Sequence, residues 1–288
     1  MVFLNGKFMP IENAMVPVLD RGFIFGDGIY ELVPVYSRVP FRMDEHLARL
    51  ERSLAEVRIR NPYTRAEWRD IIVKLVAQQP FEDQGVYFQV TRGVAKRDHA
   101  FPKDAEPTVF MMSNPLVNPP KELVERGGKC VSANDFRWHR CDIKSISLIG
   151  NCLLRQESAD EGAVETILFR DGKLTEASAS NVFIVRGGIV LSPAKSDLIL
   201  PGITYDVIVE LAQAAKIPLE FRDIPEAEVR SADEVWVTSS SKEVVAVVEL
   251  DGKCIADGKP GPVFKRMHQL YQEFKKHVMR AGTERAAA

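Results

Sequence analysis

Short β-rich runs alternate with amphipathic stretches along almost the whole chain, and this alternation constrains the fold more than any other feature. Apolar residues at helical spacing predict helices near 147–159, 203–216 and 261–280. β-Branched and aromatic residues bounded by turn residues predict strands at 85–93, 107–112, 129–134, 164–169, 181–186, 188–192, 217–222, 234–238 and 244–250. The chain is therefore predicted to mix helices and strands throughout, although propensity does not give the strand order.

Three local signals organise the first 77 residues. Asn5-Gly6 lies between apolar residues and predicts a hairpin, because the tight turn requires positive φ. Thr64 and Glu67 have the spacing of a capping box and predict the start of a helix. Asp44 is predicted to cap an earlier helix, whose apolar stripe is Leu47, Leu50, Leu54 and Val57.

Length and composition indicate a globular chain with a substantial core. The 288 residues are 45% hydrophobic, which suits one large domain or two of ordinary size. We predict two domains, 1–118 and 119–288, with the boundary at Asn118-Pro119-Pro120. No internal repeat or long linker interrupts this arrangement.

Charge and cysteine content argue against several classes of protein. Lys plus Arg number 38 against 40 for Asp plus Glu, so the net charge of -2 does not favour a nucleic-acid partner. Residues 1–15 resemble neither a secretory signal nor a membrane span, and we expect a soluble cytoplasmic protein. The four cysteines contain no CxxC pair, which argues against a disulfide framework or a structural zinc site, and no metal is predicted.

Lys144 and Glu176 are the candidate catalytic residues. They lie in two short segments, 142–146 and 174–183. A pyridoxal 5'-phosphate enzyme needs an amine that forms a Schiff base with the cofactor's aldehyde and a carboxylate that keeps its pyridine nitrogen protonated. Either residue alone would be a weak signal, because most lysines and glutamates lie on solvated surfaces.

Four ordered motifs strengthen this interpretation. They are residues 19–31 (LDRGFIFGDGIYE), the Lys144 segment, the Glu176 segment and residues 200–204 (LPGIT). Their order and spacing resemble those of the fold-type IV (class IV) aminotransferases, and most closely the D-amino acid aminotransferases. The resemblance covers essentially the whole chain. It implies an α/β (α+β) fold in which a small α/β domain and a larger barrel-like domain hold the cofactor in a cleft between them.

The resemblance also implies which residues hold the cofactor. Arg49, Ile203, Thr204 and a hydroxyl near Ser240 match the positions that bind its phosphate, and Pro201-Gly202 before a helix suits an anion. Arg49 lies away from the apolar stripe of its helix, so the pattern alone predicts an exposed arginine. Ser178 and Ser180 form a polar strip after Glu176 and are predicted to contact the cofactor.

Mechanism and substrate are likewise implied by the resemblance. Lys144 would hold the cofactor and then move the proton of the substrate α-carbon, in a ping-pong transamination of D-alanine and 2-oxoglutarate to pyruvate and D-glutamate. Arg97 and His99, together with Tyr30, match the residues that trap the substrate carboxylate. In the family the loop of Arg97 and His99 reaches the active site of the other subunit, which implies a homodimer.

Other functions share the lysine and glutamate motifs. Branched-chain L-amino acid aminotransferases, (R)-selective amine transaminases and aminodeoxychorismate lyases are the competing enzyme assignments, but they are not expected to keep the Arg-x-His pair. A protein that captures pyridoxal phosphate without turnover is a competing assignment of another class. Without the neighbouring motifs, Lys96, Arg97 and His99 would indicate only a charged, solvated loop.

Overall fold

The computed structural model describes residues 1–281, which form two compact units. The first unit contains residues 1–117, 143–148 and 278–281, and the second contains 118–142 and 149–277. The segment of Lys144 therefore belongs to the first unit, although it lies beyond residue 118 in the sequence. The division of the chain into continuous domains at 118/119 stays a prediction.

A six-stranded antiparallel sheet and two helices build most of the first unit. The strand order is β2-β1-β6-β5-β3-β4. The elements are β1 (Val2–Leu4), β2 (Lys7–Met9), a 3₁₀ turn (Ile11–Asn13), α1 (Arg21–Phe25), β3 (Gly28–Tyr36), β4 (Val39–Pro40), α2 (Met43–Glu56), α3 (Arg65–Ala77), β5 (Gln84–Thr91) and β6 (Thr108–Pro115). Alternate residues of β3, among them Ile29, Val33 and Val35, are fully buried in one core with α2 and α3.

The local signals of this unit are confirmed with one exception. Asn5 and Gly6 have positive φ and join β1 to β2 as a hairpin. Thr64 and Glu67 form the complete capping box of α3. The prediction that Asp44 caps a helix is wrong, because α2 begins at Met43 and Asp44 lies inside its first turn, where it pairs with Arg69 of α3.

A nine-stranded mixed sheet dominates the second unit. Its order is β12-β11-β10-β13-β14-β7-β8-β9, and β15 pairs with β14. The elements are α4 (Lys121–Arg126), β7 (Gly128–Asn134), α5 (Ile149–Asp160), β8 (Glu165–Arg170), β9 (Lys173–Ala177), β10 (Asn181–Arg186), β11 (Ile189–Ser192), α6 (Ile203–Ala214), β12 (Leu219–Phe221), α7 (Glu226–Arg230), β13 (Glu234–Ser239), β14 (Glu243–Leu250), β15 (Lys253–Cys254) and α8 (Pro262–Phe274), followed by a π-helical turn (Lys275–Met279).

One strand of this sheet, β7, is parallel to both of its neighbours. β7 pairs in parallel with β8 on one side and with β14 on the other, so that Cys130 lies opposite both Glu165 and Leu250. The predicted mixture of helices and strands is confirmed, but β9, which carries Glu176, was not predicted as a strand. Among the helices of residues 1–281, none combines the length and the apolar content needed to span a lipid bilayer.

Candidate active site

Lys144 is held beside β3 by backbone pairing. The amide of Tyr30 donates to the carbonyl of Lys144 at 2.9 Å, and the amide of Ile146 donates to the carbonyl of Gly28 at 3.0 Å. The ammonium of Lys144 lies 4.2 Å from the centre of the Tyr30 ring. The lysine is half-buried, and its ammonium lies over an aromatic face beside β3.

Arg49 is bound to a buried carboxylate of the first unit. Its Nε and Nη2 donate to the two oxygens of Glu31 at 2.7 and 2.8 Å, and Nδ1 of His46 lies 2.8 Å from the same carboxylate. Burial would raise the pKa of Glu31, but Arg49 and His46 hold that pKa well below its usual range. Arg49 is 8% exposed, so the pattern-based prediction of a solvated arginine is wrong. Glu31 instead engages the Nε and Nη2 edge of the guanidinium and fixes its orientation.

Glu176 is the centre of a buried network in the second unit. Its Oε1 accepts a hydrogen bond from Nη1 of Arg137 at 2.6 Å, and its Oε2 accepts from the amide of Leu200 at 3.0 Å and from Nδ2 of Asn181 at 3.2 Å. Arg137 also binds both oxygens of Asp135. A carboxylate can accept about four hydrogen bonds, so these three leave room for one further donor on Glu176.

Burial and neighbouring charge shift the pKa of Glu176 in opposite directions. Removal from water raises the pKa of Glu176 to about 7, although Arg137 and the Leu200 amide lower it. A cationic ring nitrogen beside this carboxyl group would favour its ionised form. Glu176 is therefore suited to hold a protonated pyridine nitrogen.

Ser178 and Ser180 support the turn after Glu176. The hydroxyl of Ser178 donates to Oε2 of Glu165, and the hydroxyl of Ser180 donates to Oε1 of the same residue at 2.8 Å. The ammonium of Lys242 lies 3.1 Å from Oε1 of Glu165, whose side chain is fully buried. Each serine hydroxyl can donate one hydrogen bond, and here both hydroxyls donate it to Glu165. A direct contact of these serines with the cofactor stays a prediction.

The start of α6 offers uncapped amides. Its N-cap is Gly202, which has no side chain with which to bond Ile203 or Thr204, the first two residues of the helix. A Cβ on Gly202 would lie 2.3 Å from Oδ1 of Asn181, so the close approach requires glycine. Ser240 lies in the turn between β13 and β14, and its hydroxyl makes no hydrogen bond to residues 1–281. The amides at the start of α6 are donors of the kind that suits a phosphate.

Arg97 and His99 are exposed on an irregular loop of the first unit. The Arg97 guanidinium lies 5.4 Å from the centre of the Phe25 ring, and the imidazole ring of His99 lies 5.5 Å from the same centre. No hydrogen bond or ring contact within the described residues joins either side chain to Tyr30. The chain thus groups Arg97 with His99, but does not itself bring them to Tyr30.

The predicted site residues divide between the two units. Those of the first unit are Tyr30, Arg49, Arg97, His99 and Lys144, and those of the second are Glu176, Ser178, Ser180, Ile203, Thr204 and Ser240. The sequence places Asn181 in the same polar strip as Ser178 and Ser180, but sequence reasoning missed the other buried partners, which are Glu31, His46, Asp135, Arg137 and Glu165. Glu31 and Glu165 did carry a signal, because each is a lone acidic residue in an apolar strand.

Comparison with known proteins identifies the class. The family model of amino-transferase class IV matches residues 28–250, and the chain belongs to this family. Among its relatives are the D-alanine aminotransferases of Listeria monocytogenes (38% identity, 94% of this chain and 95% of that one), Bacillus licheniformis (37%, 94% and 95%) and Staphylococcus aureus (38%, 96% and 97%). The prediction of a class IV aminotransferase is confirmed.

Solved structures confirm the fold. The branched-chain amino acid aminotransferase of Escherichia coli superimposes with a TM-score of 0.89 at 23% identity, covering 98% of this chain and 95% of that one. The branched-chain aminotransferase of Thermoproteus uzoniensis with norvaline gives a TM-score of 0.86 at 24% identity, covering 98% and 95%. At this identity the likeness concerns the fold alone, which is the fold-type IV mixed α/β fold that was predicted.

Members of the family use pyridoxal 5'-phosphate, which is the cofactor of this chain. The residues present fit this group. Lys144 offers an amine, Glu176 offers a buried carboxylate with one acceptor position left, and the start of α6 offers uncapped amides for a phosphate.

Proposed function

We propose that this aminotransferase acts on D-amino acids and converts D-alanine and 2-oxoglutarate to pyruvate and D-glutamate. The observation that carries the proposal is the paired presentation of Arg97 and His99 on one loop, both against Phe25. A guanidinium and an imidazole side by side can bind a carboxylate. The identity of 37–38% to D-alanine aminotransferases over almost the full chain supports the same substrate class.

Lys144 is proposed to have two roles and Glu176 one. The cofactor, when bound, supplies an aldehyde that condenses with amines and a ring that withdraws electrons. Lys144 would anchor it, and Nζ, once freed by the substrate amine, would move the proton of the substrate α-carbon to the cofactor and carry a proton in the reverse direction in the second half-reaction. The carboxylate of Glu176 would accept a hydrogen bond from the protonated ring nitrogen. We place this cofactor in the cleft between the two units as part of the proposal.

Arg49, the amides of Ile203 and Thr204, and the hydroxyl of Ser240 are proposed to bind the cofactor phosphate. Glu31 would keep the Arg49 guanidinium in one orientation, because it engages two of its nitrogens. Ser178 and Ser180, whose hydroxyls donate to Glu165, are proposed to contact the cofactor from the turn after Glu176. Tyr30, whose ring lies beneath the Lys144 amine, would join Arg97 and His99 in binding the substrate.

We also propose a cytoplasmic homodimer. An apolar strip of the first unit is exposed, formed by Met15 (79% exposed), Val18 (71%) and Phe23 (76%), together with Leu19 and Val94. Such a strip favours burial against a second subunit. A dimer would let Arg97 and His99 serve a site that includes the partner's Tyr30. Light scattering of the purified protein should give twice the chain mass of 32.3 kDa.

The decisive experiment is stereochemical. The purified holoenzyme should lose its visible absorbance with D-alanine and not with L-alanine, and with 2-oxoglutarate it should release pyruvate and D-glutamate. Turnover of L-valine or L-leucine without any D-amino acid would assign the chain to branched-chain substrates. Pyruvate release from aminodeoxychorismate would indicate a lyase, and turnover of (R)-amines alone would indicate an amine transaminase.

Covalent trapping tests the proposed role of Lys144 independently. Borohydride reduction of the holoenzyme followed by peptide mapping should label Lys144, and Lys144→Ala should abolish both the label and turnover. A label on another lysine would refute the role of Lys144. A Lys144 label without turnover of any amine would instead indicate a protein that only binds the cofactor.

A further inference from the structure

Arg21, a buried residue outside the predicted site, binds the backbone of the loop that carries Arg97 and His99. Its Nη1 donates to the carbonyl of Asp98 and, at 3.4 Å, to that of Ala100. Its Nη2 donates to the carbonyl of His99 at 3.4 Å. Three consecutive carbonyls therefore accept hydrogen bonds from one guanidinium, and Arg21 is only 3% exposed.

A charge cluster fixes Arg21 in this position. Its Nε donates to Oδ2 of Asp27 at 2.7 Å, and Arg92 binds both oxygens of the same carboxylate at 2.8 and 2.9 Å. Arg92 also donates to the carbonyls of Val57 and Arg58 at the end of α2. Since the two guanidiniums share one carboxylate, Arg21 is attached through Asp27 and Arg92 to the body of the first unit.

The same short helix also contacts the side chains of the loop. Phe25 lies one turn after Arg21 on α1, and its ring is near the guanidinium of Arg97 and the imidazole of His99. α1 itself lies close to β5, because a Cβ on Gly22 would come within 2.3 Å of Cγ2 of Thr91. α1 thus contacts the loop in two ways. The side chain of Arg21 binds the backbone of the loop, and the ring of Phe25 lies near the side chains of Arg97 and His99.

We propose that Arg21 is a positioning residue for recognition of the substrate carboxylate. By binding three carbonyls of the loop, it holds Arg97 and His99 in the one arrangement in which both face the same anion. The proposal rests on the proposed function of those two residues. Without Arg21 the loop would keep its charges but would have to be ordered by the substrate, and that ordering lowers affinity.

Steady-state kinetics of the holoenzyme test this role. Arg21→Gln should raise KM for both D-alanine and 2-oxoglutarate by about tenfold, which corresponds to about 1.4 kcal/mol. Both kcat and the dissociation constant of the cofactor should change less than twofold, because the hydrogen bonds of Arg21 go to Asp27 and to the loop and not to a proposed cofactor-binding residue. Arg65→Gln is the matched control, since it removes an exposed guanidinium of the same unit that pairs with Glu51. A loss in kcat or in cofactor affinity as large as the rise in KM would overturn the proposal.

A double-mutant cycle shows whether Arg21 acts through Arg97. Arg97→Ala alone should raise KM strongly, and adding Arg21→Gln should raise it little further, because the residue that is being positioned is already gone. Fully additive effects would refute the proposal. Arg21→Lys keeps a positive charge beside Asp27 and controls for a variant that fails to fold because this charge is lost. It should give a KM between those of the wild type and Arg21→Gln.

Amide hydrogen exchange gives a readout that needs no substrate. Residues 98–101 should exchange faster in Arg21→Gln than in the wild type and be unchanged in Arg65→Gln. Unaltered exchange would refute the proposal even if the enzyme uses D-alanine. If the wild type used no D-amino acid, the proposed function would fail on its own, and the exchange rates would still show whether Arg21 holds the loop.

Discussion

The guanidinium of Arg137 lies 2.6 Å from Oε1 of Glu176, and both side chains are buried in the second unit. Asp135 occupies the other side of the same guanidinium. The carboxylate that is proposed to hold the cofactor ring therefore depends on an arginine for its own charge. This relationship has a direct experimental consequence.

Replacement of Arg137 by glutamine should raise the pKa of Glu176 above about 7, because burial would then act without its cationic partner. A neutral carboxyl group pairs poorly with a protonated ring nitrogen. The dissociation constant of the cofactor at pH 7 should rise about fivefold for the first unit of increase in this pKa, because the ionised fraction of Glu176 falls from about one half to about one tenth. Titration followed by visible absorbance measures it.

The matched control for Arg137→Gln is Arg170→Gln. Arg170 also approaches Asp135, with its Nη2 at 3.1 Å, but makes no contact with Glu176 in the described residues. This variant should bind the cofactor almost as tightly as the wild type. Equal losses in the two variants would show that Asp135, and not the charge of Glu176, is what matters.

Glu176 should make the stability of the cofactor-free protein depend on pH. Because burial raises its folded-state pKa to about 7 from its ordinary value of 4.5, the folded state retains a proton that the unfolded state releases. The free energy of unfolding should therefore fall as pH rises from about 4.5 to about 7, by an amount on the order of 3 kcal/mol. Denaturant titrations between about pH 4.5 and 8 measure this change.

Glu176→Gln is the variant that isolates this pH dependence. The amide does not titrate, so the decrease in stability between about pH 4.5 and 7 should be smaller in the variant by the contribution of this one group. Parallel pH profiles of the two proteins would mean that Glu176 is already ionised in the folded, cofactor-free protein.

Glu165 should stabilise the turn that follows Glu176. Glu165→Gln removes the charge that accepts from Ser178, Ser180 and Lys242. Since Lys242 can still reach solvent, the expected loss in the free energy of unfolding is about 2 kcal/mol. Cofactor affinity should weaken as well, while the preference for D- over L-alanine should not change.

Glu122→Gln provides the comparison for Glu165→Gln, because Glu122 forms only an exposed pair with Arg126. That change should alter stability by less than about 0.5 kcal/mol. Urea denaturation of both proteins distinguishes the two cases. A similar small effect at Glu165 would argue that its serine and lysine partners are satisfied equally well without the charge.

The capping box of α3 should contribute to stability and not to activity. Thr64→Ala removes the side-chain acceptor for the amide of Glu67 and should lower the free energy of unfolding by about 1 kcal/mol. Thr64→Ser keeps the hydroxyl and should restore most of this loss. A change in KM for D-alanine in either variant would be unexpected, since within residues 1–281 no hydrogen bond joins Thr64 or Glu67 to a proposed site residue.

Features with local causes were predictable from the sequence. The hairpin at Asn5-Gly6 depends on two residues that accept positive φ, and the start of α3 depends on Thr64 and Glu67, so a few neighbouring residues determine each. The class of the protein and the positions of Lys144 and Glu176 came from ordered motifs. These motifs needed no knowledge of the strand order.

The partners of the site residues could not be predicted, because they come from distant parts of the chain. Arg49 is buried through a pairing with Glu31, 18 positions earlier, and a helical pattern does not report which strand its polar face meets. Ser178 and Ser180 were assigned to the cofactor, yet both hydroxyls donate to Glu165 of another strand. The sequence shows that both residues are polar, but only the tertiary structure identifies Glu165 as the acceptor of their hydrogen bonds.

The two strands that flank β7, β8 and β14, are synthesised at different times. The pairing of β7 with β14 places Cys130 opposite Leu250, so the nine-stranded sheet cannot be completed until the chain beyond residue 250 has left the ribosome. Contacts between residues so far apart in sequence slow folding. Nascent chains that end before β14 would leave the backbone groups on one edge of β7 unpaired, and chaperones should associate with them during this interval.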